Sequence, residues 1–344
     1  MNIAWLLLQF ALCAGLIAVA GFSLSRNADR LATAYGWGRG WVGLALLATV
    51  TSLPELASGL SSVVLVDEPN LAVGNALGSC VMNLVFLVVV DLLQRRQPMY
   101  GQASATHLLS AGFGVVMLGF VALSLVTARQ APALLHVGLY SPILLGLYLL
   151  ALKSVFAHEQ AALAEQAARQ PAAGAGRTLR PPAEAALLRR HWRHFGRAAA
   201  VVLAAGLWLP GLADSLAQAL GLSHSFVGTV LMALVTTMPE MAVTLAALRL
   251  GALDMAIGNL LGSNLFNILI LAVDDLAYTK GPLFAAASVV HGGTAATALV
   301  MTGLVIVGLV MRPRGRVLRV TSWVSLGLVA AYGINASLLF LAAA

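Results

Sequence analysis

Ten long apolar segments constrain this chain more than any other feature of its sequence. Each is long enough to cross the hydrocarbon core of a bilayer, which takes about 20 residues of helix. Because a lipid-exposed backbone must satisfy its own hydrogen bonds, each segment is predicted to be a helix. The predicted spans lie at about 3–24, 40–66, 70–93, 105–127, 132–156, 197–221, 225–249, 254–275, 283–311 and 319–343.

The composition excludes a soluble protein and a nucleic-acid-binding protein. Only 10% of the 344 residues are charged, whereas soluble domains carry about 25%. The net charge of +7 comes from basic residues in short gaps between apolar segments and not from one solvated face. Cys13 and Cys80 lie in apolar segments without a CxxC pair or a His/Cys cluster, so they indicate neither a zinc site nor a redox compartment.

The basic residues also predict how the chain crosses the cell (inner) membrane. No Lys or Arg precedes the segment 3–24, so it is interpreted as the first transmembrane helix and not as a cleaved signal. If residues 157–196 are cytoplasmic, 18 of the 20 Lys and Arg residues lie inside, and only Arg129 and Lys280 lie outside. Both termini of this multi-pass protein are then expected to be external.

An internal repeat divides the chain into two halves. Three blocks recur in the same order, the first two at an offset of 185 residues and the third at 184. They are ADRLATAYGWGRGWVG (28–43) with ADSLAQALGLSHSFVG (213–228), TSLPEL (51–56) with TTMPEM (236–241), and LAVGNALGSCVMN (71–83) with MAIGNLLGSNLFN (255–267).

Each copy contains five spans, an odd number, so the second copy must insert upside down relative to the first. The predicted fold is an all-α integral membrane protein of ten transmembrane helices in two inverted five-helix repeats. The predicted boundaries are 1–156 for the first repeat, 157–196 for a cytoplasmic basic linker and 197–344 for the second repeat. The linker contains three prolines and many arginines, and its part Glu159–Arg169 can form an exposed helix.

A proline and a glutamate occupy the middle of the second span of each repeat. Inverted repeats are typical of transporters, and interrupted helices at matching positions mark the substrate site. Pro54 and Pro239 each remove a backbone hydrogen bond, which frees the carbonyl four residues earlier. Glu55 and Glu240 follow these prolines, and an ionisable residue in mid-bilayer costs about 2.5–3.5 kcal/mol or more. Repetition of this costly pair indicates ion binding, the alternative being a protonated or paired structural glutamate.

Hydroxyl and amide side chains surround these glutamates. Thr51 and Thr236 lie four residues before them on the same helix face, next to Ser52 and Thr237. The next span of each repeat carries a polar stripe with a period of four residues, which serves either ion ligation or hydrogen bonding between helices. Ligation is favoured for Ser79, Asn83, Ser263 and Asn267, and both interpretations stay open for Asn75 and Asn259.

This donor set contains only oxygen. Carboxylate, amide, hydroxyl and carbonyl oxygens suit a hard cation such as calcium, and they do not suit zinc or copper. The glycine pairs Gly74/Gly78 and Gly258/Gly262 are predicted to let neighbouring helices approach closely.

The chain resembles the cation/calcium exchanger superfamily, whose best-known branch is the sodium/calcium exchangers. The two alpha-repeat motifs carry the resemblance, namely ATVTSLPEL with GNALGSCVMN and ALVTTMPEM with GNLLGSNLFN. Three positions depart from common family residues: Val50 and Val235 replace glycine, and Cys80 replaces asparagine. Some members have aspartate at Asn267, so this site is expected to carry two negative charges and not three.

The resemblance implies specific roles for residues of both motifs. Glu55 and Glu240 would be the central calcium ligands, and the first helix of each repeat would slide against the remaining helices. Oxygens of Ala48, Thr51, Ser52, Ala233, Thr236 and Thr237 would help to bind sodium or calcium, and Ser79, Asn83, Ser263 and Asn267 would complete the site.

The predicted function is a secondary antiporter that moves calcium against sodium by alternating access, without a cofactor. A proton/calcium exchanger would use the same glutamates and stays open. A cation channel is less favoured because the ligands are paired within one chain and do not line an oligomer axis. An enzyme is not favoured because no catalytic dyad accompanies these residues. The expected partners are the transported ions and the lipid bilayer, with no nucleic acid and no obligatory protein partner evident.

Overall fold

The first half of the chain is helical apart from one small hairpin. The computed structural model describes residues 3–35, 47–94, 98–104, 106–169, 182–313, 315–317 and 320–342. A π-helical segment, Ser62–Val66, follows directly on the helix Leu53–Ser61. The helices are α1 (Ile3–Tyr35), α2 (Ala48–Thr51), α3 (Leu53–Ser61), α4 (Pro69–Leu93), α5 (Met99–Gln102), α6 (His107–Thr127) and α7 (Tyr140–Arg169).

The second half repeats this order. A π-helical segment, Val227–Met232, directly precedes the helix Ala233–Thr236. The helices are α8 (Pro182–Leu220), α9 (His224–Phe226), α10 (Ala233–Thr236), α11 (Met238–Arg249), α12 (Leu253–Ala277), α13 (Leu283–Ala286), α14 (Val290–Met311) and α15 (Trp323–Leu341).

Nine of the ten predicted spans correspond, in the described part of the chain, to helices that are long and apolar enough to cross a membrane. Within the described residues, eight helices meet this criterion singly, and a ninth span consists of His224–Thr236 and Met238–Arg249, bent by 40° at the break. The span predicted at 40–66 contains α2, α3 and the π-helical segment Ser62–Val66, while its first residues, 40–46, lie outside the described residues.

Three predicted boundaries were wrong. Strands β1 (Ala133–Leu134) and β2 (Val137–Gly138) form an antiparallel hairpin, so the fifth span begins at Tyr140 and not at 132. The span predicted at 283–311 is interrupted between Ala286 and Val290. The helix of the sixth span begins at Pro182 and not at 197. The part of the linker expected to be helical, Glu159–Arg169, does continue α7 as a helix.

Helices α4 and α12 form the centre of the molecule. Over 18 consecutive apolar residues of each helix, 78% of the residues of α4 and 83% of those of α12 are buried inside the protein, whereas only 22% are buried in α1. Helix α1 packs mainly against α8, so the first helices of the two repeats form a pair at the periphery. The central pair is therefore shielded from lipid by the other helices.

A buried aspartate joins the end of α4 to the start of α15. The Asp91 carboxylate accepts hydrogen bonds from the Met99 amide (3.0 Å), the Ser322 amide (2.8 Å) and the hydroxyls of Thr321 and Ser325 (2.8 Å each). Three of these four donors belong to the other half of the chain. A charged acceptor that is fully bonded in this way fixes the relative position of two helices from different repeats.

Asp275, 184 positions after Asp91, makes the equivalent junction in the second repeat. Its carboxylate accepts from the amides of Leu283 (2.7 Å) and Gly138 (2.9 Å) and from the hydroxyls of Tyr140 (2.6 Å) and Ser141 (2.5 Å). The two repeats are thus interleaved, since each contributes an aspartate that holds the last helix of the other.

A second pair of contacts between the repeats also involves residues 184 positions apart, namely His107 with His291 and Asn70 with Asp254. His107 Nε2 lies 2.9 Å from Asp254 Oδ1, and His291 Nε2 lies 3.3 Å from Asn70 Oδ1. In each case the backbone amide three residues before the histidine also bonds to the same oxygen. Both histidines are buried helix-start residues that contact the other repeat, as expected for structural residues.

Candidate ion-binding site

Each half of the site begins at an interrupted helix. The chain leaves helical geometry at Ser52 (φ −86°, ψ 13°) and at Thr237 (φ −82°, ψ 3°), between α2 and α3 and between α10 and α11. Pro54 and Pro239 occupy the first turn of the second helix in each case, where no amide hydrogen is needed. The glutamates that follow therefore lie in the first turns of α3 and α11, where the helix dipole favours negative charge.

Glycines bring the outer helices directly onto these interruptions. A Cβ atom at Gly21 would lie 2.3 Å from Pro239 Cγ, and a Cβ at Gly206 would lie 2.7 Å from Ala57 Cβ and 3.1 Å from the Pro54 carbonyl oxygen. No side chain larger than hydrogen fits at such distances. Helix α1 of the first repeat thus touches the interruption of the second, and α8 touches that of the first.

Both glycines of the predicted pair on α4 make a similar approach: a Cβ at Gly74 would lie 3.0 Å from the Thr229 amide nitrogen, and Gly78 is closer still. A Cβ at Gly78 on α4 would lie 2.2 Å from the carbonyl oxygen of Thr229, in the π-helical segment Val227–Met232. At Gly258 the nearest atom would be 3.8 Å away, an ordinary contact. The close approach predicted from these motifs is therefore present on α4 at Gly74 and Gly78.

All twelve predicted ligands lie in the protein interior. None has more than 1% of its surface exposed, and the glutamates, hydroxyls and amides are fully buried. They are Ala48, Thr51, Ser52, Glu55, Ser79, Asn83, Ala233, Thr236, Thr237, Glu240, Ser263 and Asn267.

The two carboxylates have different surroundings. Glu240 Oε1 accepts hydrogen bonds from the hydroxyls of Ser52 (2.8 Å) and Ser263 (3.4 Å). Neither oxygen of Glu55, nor Oε2 of Glu240, has a hydrogen-bond partner among the described residues. Thr237, the repeat equivalent of Ser52, instead donates to the Ala233 carbonyl (2.6 Å).

Hydroxyl pairs connect the repeats in both directions. Thr51 lies 3.4 Å from Ser263, and Thr236 lies 3.4 Å from Ser79, measured between hydroxyl oxygens. Each interrupted helix therefore faces the polar stripe of the other repeat. This crosswise pairing brings both predicted motifs into one site.

The asparagines of the two stripes divide into different roles. Asn75 donates to the Ser58 hydroxyl (2.9 Å) and accepts from Thr236 (3.0 Å), so it joins helices through hydrogen bonds. Asn259 Nδ2 lies 3.4 Å from the Glu240 backbone carbonyl and 3.5 Å from the Thr244 hydroxyl. The contacts of Asn75 are those of a structural residue. Asn259 Oδ1 has no hydrogen-bond partner among the described residues, so ligation and a structural role both stay open for Asn259.

The asparagines at the C-terminal end of each stripe, Asn83 and Asn267, are less fully hydrogen-bonded. Asn83 donates to Asn264 Oδ1 (3.0 Å), but its own Oδ1 is unbonded, and neither polar atom of Asn267 has a partner among the described residues. Asn264 also donates to the Cys80 carbonyl (3.1 Å). Cys80 and Asn264 are repeat equivalents, 184 positions apart, and they contact each other where α4 and α12 cross.

The unbonded acceptors define what the site can bind. Buried polar atoms are normally hydrogen-bonded, and unpaired acceptors grouped together require an explanation. Oxygens of Glu55, Glu240, Asn83, Asn259 and Asn267 are unbonded in this way, and the same helices carry the hydroxyl pairs that connect the two repeats. No group of three His, Cys, Asp or Glu residues suited to a metal occurs in the described ranges. A hard cation fits these oxygens, since it needs acceptors and no proton donor.

Asp274, like Asp91 and Asp275, is a buried carboxylate that the sequence did not single out. Asp274 on α12 is fully buried, and neither of its oxygens has a partner in the described part of the chain. These oxygens would lie 2.5 and 2.7 Å from a Cβ at Gly59, one helical turn beyond Glu55 on α3. The first repeat has Val90 at the equivalent position, so repetition gave no signal for Asp274.

Comparisons with known proteins agree with this architecture. The sodium/calcium exchanger protein family matches residues 5–156 and 194–341. Inner membrane protein YrbG of Escherichia coli (strain K12) is 27% identical over 261 residues, which cover 70% of this chain and 72% of that protein. The putative antiporter CaxA of Alkalimonas amylolytica is 27% identical over 251 residues, covering 72% of each chain.

Solved structures show the same fold. The sodium-calcium exchanger NCX_Mj, soaked with Na⁺ and Sr²⁺, aligns with a TM-score of 0.63 at 19% identity and covers 98% of this chain and 99% of that one. The same exchanger soaked without Na⁺ and Ca²⁺ aligns with a TM-score of 0.62. The predicted fold of two inverted five-helix repeats is confirmed. The chain is a multi-pass membrane protein and belongs to the sodium/calcium exchanger family, whose members are antiporters and not enzymes.

Proposed function

We propose that this protein exchanges calcium for sodium by alternating access at a site that contains Glu55 and Glu240. The observation that carries the proposal is the group of unbonded, fully buried oxygens on Glu55, Glu240, Asn83 and Asn267. These oxygens come from both repeats, so one ion can hold both halves together. Hydroxyls of Thr51, Ser79, Thr236 and Ser263 supply further neutral oxygens.

Charge balance explains why such a site would exchange ions and not leak them. Two ionised carboxylates without a cation are costly to enclose in a dry interior. Calcium, sodium ions or protons neutralise them, so the protein can change its open side only when it is loaded. Strict coupling follows, because the empty protein cannot return.

In this proposal α1 and α8 slide across the interrupted helices to open one side at a time. We place the segment between α7 and α8 in the cytoplasm and both termini outside, as the distribution of basic residues predicts. Residues 1–156 and 197–344 then form the two inverted units.

The glycine contacts give a test of this movement. Gly21→Ala and Gly206→Ala place a methyl group against Pro239 and Ala57, at 2.3 and 2.7 Å. Overpacking of this kind costs about 1–3 kcal/mol, so we expect calcium exchange to slow strongly in both variants. Gly15→Ala and Gly211→Ala are matched controls on the same two helices, because nothing lies within 4 Å of a Cβ there. Parental rates in all four variants would show that α1 and α8 do not slide over these contacts.

The counter-ion is tested by calcium efflux from loaded proteoliposomes. Without external sodium, external calcium or a proton gradient, we expect calcium to leave slowly, because the loaded site needs an ion to replace its cargo. External sodium should accelerate the release. Acceleration by protons and not by sodium would instead identify a proton/calcium exchanger that uses the same site. Rapid release without any counter-ion would contradict alternating access and favour a channel.

A further inference from the structure

Two adjoining cavities lie between the sliding helices and the helix that carries Glu240. The first, here called the basic cavity, has a volume of about 550 Å³ and lies between α1 and α8. Its described lining includes three arginines and two histidines and no acidic residue. These cationic or ionisable side chains are Arg26, Arg30, Arg190, His191 and His194.

The second, here called the apolar cavity, has a volume of about 540 Å³ and lies between α1 and α11. Its walls include Leu47, Val243 and Met255. Phe22, Arg26 and Arg30 line both cavities, so the two spaces share one wall. These three residues are spaced by four, which places them on one face of α1.

The cavities lie at one edge of the predicted membrane region. The apolar run of α1 ends at Leu24, and that of α8 begins after Arg197, so the cavity arginines on these two helices lie within about two helical turns of these ends. The arginines of the basic cavity therefore lie at the level where headgroups meet the hydrocarbon region. The proposed orientation puts this edge on the cytoplasmic side, where basic pockets between transmembrane helices bind anionic headgroups.

We infer that these joined cavities bind an anionic phospholipid, with its phosphate in the basic cavity and an acyl chain in the apolar cavity. Only an amphiphile matches both spaces, since a soluble phosphate would leave the apolar cavity unused. An entry path for calcium is not favoured, because Arg26, Arg30 and Arg249 line the apolar cavity against a single acid, Asp29.

The position of this lipid would connect it to transport. Phe22 follows Gly21, which contacts Pro239, and Val243 lies three residues after Glu240 on α11. A lipid held between α1 and α11 therefore lies beside the contact over which α1 moves. This consequence rests on the proposed function, whereas lipid binding itself does not depend on it.

Binding is tested with the full-length protein by native mass spectrometry in mixtures of phosphatidylglycerol and phosphatidylcholine. We expect selective retention of phosphatidylglycerol. The double variant Arg30→Gln/Arg190→Gln should bind it roughly 30-fold more weakly, from the usual contribution of two basic residues near a membrane surface. Arg189→Gln/Arg193→Gln is the matched control, because it removes the same charge from described residues of α8 that do not line the cavity.

A third variant separates a lipid from a soluble phosphate compound. Ala246→Phe fills the apolar cavity and leaves all arginines in place. A lipid site predicts that Ala246→Phe also loses phosphatidylglycerol. If Ala246→Phe retains it fully, or if inorganic phosphate binds through Arg30 and Arg190 while phosphatidylglycerol is not enriched, the lipid assignment is overturned. Equal loss in the control double variant would also overturn it, since the binding would then reflect general charge.

The effect on transport is measured separately. Calcium exchange in phosphatidylethanolamine vesicles should be faster with phosphatidylglycerol than with phosphatidylcholine, and Arg30→Gln/Arg190→Gln should remove this difference. If lipid binds selectively but the rates do not differ, the site stands and its effect on α1 is refuted. A protein that binds phosphatidylglycerol but transports no calcium under any gradient would refute the proposed function and leave the lipid site intact.

Discussion

Glu55→Gln and Glu240→Gln should each abolish calcium transport while the protein stays folded. The change removes one of the two carboxylates of the proposed site at nearly constant volume, so that site can no longer neutralise a divalent ion. Groups that merely support a metal ligand already contribute 10–100-fold in affinity, so we expect a loss of about 100-fold or more for a direct ligand. Calcium flux in proteoliposomes measures the effect, and thermal unfolding in detergent shows that the fold persists.

Glu68→Gln provides the control for this pair. Glu68 precedes α4 and lies 3.6 Å from His224, outside the group of ligands. The same chemical change there should leave calcium flux near the parental level. Near-normal transport by well-folded Glu55→Gln or Glu240→Gln would refute the assignment of that residue as a central ligand.

Asp91→Asn and Asp275→Asn should destabilise the protein more than other changes outside the ion site. Each carboxylate accepts four hydrogen bonds while buried, and an amide nitrogen in place of one oxygen would face donors instead of accepting from them. Bonds to charged groups contribute about 1.5–3 kcal/mol each, so losing two of them gives a cost on the order of 3–6 kcal/mol. The fall in the thermal unfolding midpoint measures this cost.

Asp67→Asn is the corresponding change at the surface. Asp67 pairs with Lys280, and both side chains are largely exposed. An exposed ion pair contributes about 0–1 kcal/mol, so the midpoint should hardly move. Asparagine also tolerates the left-handed backbone of residue 67 (φ 62°). Equal midpoints for the variants at 67, 91 and 275 would show that the buried junctions do not hold the repeats together.

The helices of this fold could be predicted from sequence because hydropathy and backbone hydrogen bonding act locally. Helix ends were predicted less well, because local hydropathy does not show where an apolar segment changes from helix to hairpin or where a helix continues into polar sequence. The hairpin at Ala133–Gly138 is apolar enough to be assigned to the following span, although it forms a separate structure. The polar start of α8 was interpreted as linker, yet its many alanines favour helix.

The site could be predicted in part, because duplication marks its residues twice. Glu55 and Glu240 stand out for this reason, and both are fully buried in the structure. The partners across the repeats could not be predicted, since the pairing of Thr51 with Ser263 or of Ser52 with Glu240 depends on how two distant helices align. The different roles of Asn75, which is hydrogen-bonded, and Asn83, whose oxygen is unbonded, likewise depend on tertiary contacts and cannot be read from their spacing.

The unpaired carboxylate of Asp274 has a consequence for the kinetics of the two faces. Two identical halves would present equivalent routes to both solutions, but the second repeat has Asp274 one turn beyond Glu55, and the first has Val90. The hydroxyl bonded to Glu240 also has no counterpart at Glu55. Under the proposed alternating access, ions arriving from opposite sides would meet different side chains, so half-saturating concentrations should differ between the faces. The ion gradients alone still set the point at which net exchange stops, because the protein changes rates and not equilibria.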